Sequence, residues 1–68
     1  MNTLAEMVEA IEKIAVDPIN GVRVIHTTPN GDAIVRVRFD PYDDGERLYL
    51  NRYRVYANGE AVFHRAGF

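Results

Sequence analysis

The sequence predicts an α+β fold, with one N-terminal helix packed on one face of a four-stranded antiparallel meander sheet. Three observations carry this expectation. Residues 4–15 place apolar side chains at three- and four-residue spacing behind a capping pattern, as an amphipathic helix does. Beyond Gly21 the chain changes to β-branched and aromatic runs. Three turn signals, two of them Asn-Gly pairs, divide that second part into four runs joined by consecutive hairpins.

The helix is expected over about residues 4–16. Thr3 and Glu6 form a capping box, in which hydroxyl and carboxylate each satisfy an orphan backbone donor. Leu4, Met7, Val8, Ile11, Ile14 and Ala15 make the apolar stripe, with Glu6, Glu9 and Lys13 on the other side. Asp17-Pro18 ends the helix, because the residue before proline is driven out of the α region.

Strands are expected over about residues 22–28, 32–40, 46–56 and 60–66, the middle pair joined by the acidic segment DPYDDGE. With two-residue turns at Asn30-Gly31 and Asn58-Gly59, the pairings follow by counting. Val22 meets Phe39, Val24 meets Val37 and His26 meets Val35 on the helix side, while Arg23 meets Arg38 and Ile25 meets Arg36 on the other. In the last hairpin Val55 meets Val62 and Tyr53 meets His64, while Arg52 meets Arg65, Arg54 meets Phe63 and Tyr56 meets Ala61. Leu48 and Leu50 are out of phase with Tyr53 and Val55, which suggests a bulge near Asn51.

Sixty-eight residues form a single domain, 1–68, near the lower size at which a chain folds on its own core. The composition, 47% hydrophobic and 26% charged, is that of a folded globular chain. Without cysteine there is neither a disulfide framework nor a thiolate metal cage. The amphipathic, glutamate-bearing start does not read as a signal peptide, and no apolar run approaches bilayer length, so a cytoplasmic location and no membrane partner are expected. The net charge of -2 conceals a polarity. Through Ile19 four acids face one lysine, and from Asn20 onward seven arginines face six acids.

DPYDDGE invites a metal or catalytic reading. As a calcium loop beginning at Asp40 it fails, since Tyr42 stands at the third position and Asn51 at the twelfth. Catalytic carboxylates need a rigid framework beside a pocket, which a hairpin tip does not supply. The segment reads as the solvated end of a hairpin, with Asp43 and Asp44 as a contact for a basic partner. The chain has no serine and no Gly-rich phosphate cradle, and its two histidines, His26 and His64, fall on outer strands. Neither catalysis nor a cofactor or metal is expected.

The arginines are the informative set. Arg23, Arg36, Arg38, Arg52, Arg54 and Arg65 map to the sheet face away from the helix, interleaved with Ile25, Tyr56 and Phe63. Like charges opposite one another cost stability unless something neutralises them, and a partner could do so. An acidic protein surface suits this set, because arginine and tyrosine are enriched in interface cores and lysine is depleted. Nucleic acid is the second choice, weakened by a pI near 5.5 and a single lysine. The structural alternatives are a solvated face whose stems cover apolar atoms, and a homodimer through Ile25, Ile34, Tyr56 and Phe63.

The format as a whole is an acidic, cysteine-free helix-plus-meander containing RVRFDPYDDGERLYLNRYRVYANGEAVF, with one charge-segregated face. It resembles the small phage-encoded inhibitors of host defence complexes, anti-CRISPR proteins among them. The resemblance lies in format and carries no residue assignments. It implies a non-enzymatic, stoichiometric inhibitor that occupies a surface of a large nucleoprotein complex, through the acidic loop or the arginine face.

Overall fold

The computed structural model describes residues 2–41 and 47–67. Helix α1 (Leu4–Glu12) is followed by strands β1 (Ile19–Thr27), β2 (Ala33–Phe39), β3 (Tyr49–Val55) and β4 (Ala61–Ala66). The strands pair antiparallel in the order β1-β2-β3-β4, the expected meander.

Both halves of the capping box form at Thr3 and Glu6, and the hydrogen bonds hold the Glu6 carboxyl below its ordinary pKa. The helix packs on β3 and β4 and buries Met7, Ala10 and Ile11. It stops at Glu12, earlier than the stripe suggests. The Ile14 and Ala15 amides both donate to the Ile11 carbonyl, which tightens the end of the helix, and the chain leaves toward Pro18. Ile14 is therefore half-exposed and Val16 is 87% exposed, outside the core assigned to Ile14 by spacing.

Alternation in β2 sends Ala33, Val35, Val37 and Phe39 toward the helix, where they join Met7, Ile11, Tyr53 and Val55. The five most buried of these side chains each contribute roughly 1.5–3 kcal/mol by leaving water. The Phe39 ring stacks on Tyr49 at 5.1 Å and meets Tyr53 edge-on at 6.0 Å. The Tyr49 hydroxyl donates to the Asp17 carboxylate, tying the helix-to-sheet connection to β3.

The Asn-Gly turns differ from the two-residue form and change the registers. Gly31 has φ 89° and Gly59 has φ 92°, while no other residue type among those described has positive φ, so Asn30 and Asn58 keep negative φ. A type I′ turn would need positive φ at both positions. The loops hold three residues instead, closed by Thr28 with Asp32 and by Tyr56 with Glu60, and Gly31 and Gly59 donate back to Thr28 and Tyr56. The backbone demand for positive φ falls on glycine alone.

Each such loop slips the pairing by one residue, and a bulge further along slips it again. In the first hairpin His26 pairs with Ile34. Beyond a bulge at Ile25, Val24 pairs with Val35, Arg23 with Arg36 and Val22 with Val37. The faces of Val22, Arg23 and Val24 are as expected, but His26 moves to the side away from the helix. In the last hairpin Val55 pairs with Ala61, Arg54 with Val62 and Tyr53 with Phe63, until a bulge at His64 restores the expected Arg52–Arg65 pair. Phe63 thus joins Tyr53 on the helix side, against expectation, and Val62 takes its place opposite Arg54.

Two further corrections concern β3 and β1. The bulge expected near Asn51 of β3 falls instead on the facing strand, at His64, between the Arg52 and Tyr53 pairs; β3 runs in unbroken register with β2, and Leu50 sits opposite Arg38 on the side away from the helix. Strand β1 begins at Ile19, ahead of the Gly21 read as a boundary, by accommodating a bulge at Asn20.

Candidate functional site

The registers place one residue from each strand side by side across the sheet. Arg23 of β1 pairs with Arg36 of β2, Arg36 with Arg52 of β3, and Arg52 with Arg65 of β4. The result is a ladder of four arginines perpendicular to the strands. Neighbouring strands lie about 4.7–4.9 Å apart, so the ladder spans roughly 14–15 Å. Two-residue Asn-Gly loops would align Arg52 with Arg65 but set Arg23 against Arg38. The three-residue loop and the bulge at Ile25 bring Arg23 into line.

One flank of the ladder holds Gly21, Arg38 and Leu50; the other holds His26, Ile34, Arg54 and Val62. With no side chain on Gly21 opposite Arg38, a shallow depression of about 410 Å³ opens among Gly21, Arg23, Arg36, Arg38 and Leu50. Its walls are three guanidinium-bearing stems and its apolar side is Leu50.

The charges are unevenly compensated. Arg54 forms a 3.1 Å ion pair with Asp32 and lies 5.5 Å from the Tyr56 ring centroid. The Asp32 carboxylate also accepts the Ala57 amide at 2.9 Å; this bond first and Arg54 second hold its pKa below the ordinary value. Arg23, Arg38, Arg52 and Arg65 make no ion pair with any acid among the described residues. The Nε atoms of Arg52 and Arg54 are shut off from solvent and lack an acceptor, so their stems lie down on the sheet.

All six arginines assigned to the open side are there, together with Tyr56 beside Arg54. Phe63 is not; its ring meets Tyr53 edge-on at 5.9 Å on the helix side, 56% exposed. Leu50, Val62 and His26 also belong to the face and are not predicted there by the sequence; Leu50 follows Arg52 and Arg54 by plain alternation along β3, while His26 and Val62 move with the three-residue Asn-Gly loops. Asp43 and Asp44 lie outside the described residues.

The opposite side of the molecule is acidic, with Glu6, Glu9 and Glu12 exposed along α1. Charge is therefore segregated across the thickness of the sheet as well as along the chain. Among the described residues no group of three or more histidines and acids is placed to hold a metal, and no helix is long and apolar enough to cross a membrane. Comparison of the chain with family models, with curated proteins and with solved structures gives no match at the significance required.

Proposed function

We propose that this protein is a non-enzymatic binding module that docks its arginine face on an acidic surface of a protein partner. The observation that carries the reading is the four-arginine ladder, whose members Arg23, Arg52 and Arg65 have no acidic partner among the described residues. Side-by-side like charges are held at a cost to the fold, which a bound anionic surface converts into attraction. Apolar Leu50 and Val62, which flank the ladder, supply the desolvated margin that arginine-centred interfaces use.

The finer reading is a stoichiometric inhibitor or adaptor acting on a larger complex, as the anti-CRISPR-like format implies. Binding to single-stranded nucleic acid is the less favoured alternative. Sheet-face RNA binders stack bases on aromatic rings. Here Phe63 turns to the helix side, and Tyr56 has Arg54 over its ring.

The test is affinity capture from a cognate lysate, treated with nuclease, by the wild-type chain and by Arg23→Glu with Arg52→Glu. A stoichiometric complex that survives nuclease and is lost in the double variant is expected. Retention by the double variant would refute the assignment of the face.

A further inference from the structure

The arginine ladder also has a pitch, and the pitch selects among acidic partners. Resting on the reading above, we infer that the partner presents an acidic α-helix, lying across the strands, with about one carboxylate per turn on the face that meets Arg23, Arg36, Arg52 and Arg65.

Successive ladder positions are about 4.7–4.9 Å apart. A helix rises about 5.4 Å per turn, so carboxylates at i, i+4, i+7 and i+11 lie on one face over roughly 16 Å. The ladder spans roughly 14–15 Å, so the mismatch with a helix is about 0.6 Å per interval, about a third of that of an extended strand. An extended strand matches poorly. Its same-face residues repeat every 6.6–6.8 Å or so, and three intervals overshoot the ladder by about 5 Å. The sheet's twist fans the four side chains about the ladder axis by roughly 20–25° per strand, which suits a rod seated against them.

Helix α1 of a second copy is the nearest acidic helix to consider, and it fits only in part. Glu6, Glu9 and Glu12 are exposed, but six residues of helix rise only about 9 Å, short of the ladder. Lys13 follows directly, placing a positive charge where the ladder continues. The occupant is therefore a longer acidic helix of another protein.

The experiment uses the full chain and fluorescence anisotropy with three labelled probes. One is a helical 22-residue peptide with glutamates at i, i+4, i+7 and i+11. The second has the same composition, with its glutamates spread around the helix. The third is a single-stranded oligonucleotide of equal charge. We expect the registered peptide to bind at least tenfold more tightly than the permuted one. That binding should fall at least tenfold in Arg23→Glu and in Arg52→Glu, each shown to be folded by its melting curve.

Equal binding of the two peptides, both lost in the variants, would overturn the helix inference and leave the acidic-partner reading standing. Preference for the oligonucleotide, or no response of peptide binding to either variant, would overturn both. Salt-sensitive self-association abolished by Arg52→Glu would also overturn the inference, by assigning the ladder to a second copy.

Discussion

Replacing Arg52 by glutamate is expected to stabilise the fold while abolishing binding. Arg52 stands between Arg36 and Arg65, so two like-charge pairs meet at this residue. With charges about 6 Å apart, each pair costs roughly 0.7 kcal/mol in water, and physiological salt leaves about 0.3 kcal/mol. Reversing the sign turns both repulsions into attractions, a change of about 1.3 kcal/mol, from which the weaker strand preference of glutamate removes a few tenths. The net gain of about 1 kcal/mol raises the midpoint of a domain this size by about 4–8 °C. Thermal unfolding followed by circular dichroism measures it, with Arg52→Gln giving about half the shift. At about 1 M salt the Debye length shrinks to about 3 Å and the advantage should vanish. A variant that melts at or below wild type in low salt, or whose shift ignores salt, would refute the claim that the ladder is held under repulsion.

Other outcomes follow from the same structure. Ile11→Ala empties a fully buried position and should cost about 2–5 kcal/mol. A chain of this length has a total stability of roughly 3–10 kcal/mol, so the urea midpoint should fall by a large fraction of its value. Gly31→Ala and Gly59→Ala force a side chain into positive φ at about 1–2 kcal/mol each. Gly31 should be the worse by melting temperature, because its added Cβ would lie 3.3 Å from that of Ala57. Asp32 has its folded pKa depressed by the Ala57 amide and then by Arg54, so its stabilisation is present above the unfolded value and lost as pH falls through the folded one. Asp32→Asn should flatten that acid limb in an unfolding series, and an unchanged pH profile would exclude the carboxylate as its source.

The sequence disclosed most where chemistry and period agree locally. The capping box at Thr3 and Glu6, the alternation of β2 and the positions of both Asn-Gly loops were legible because each depends on residues only a few places apart. The end of the helix was less so. Ile14 continues the apolar spacing, yet the chain has already left the helix on its way to Pro18, and spacing does not report that departure. Face assignments survived where errors came in pairs. The loop and the bulge at Ile25 together shift β1 by two, which keeps Arg23 on its side; the loop alone shifts His26 and Phe63 by one, which turns each over.

By itself the amino-acid sequence determined a helix followed by four hairpin-linked strands, and a surplus of arginine in the second part of the chain. Those features rest on local conformational preference and on composition. Only the tertiary structure decided that four of the arginines stand in line across the sheet, that Arg54 is already neutralised by Asp32, and that Phe63 lies on the helix side. The physical reason is that cross-strand alignment is a property of register. Register in turn depends on loop length and on bulges at Ile25 and His64, which neither hydrophobic period nor residue type specifies one strand at a time.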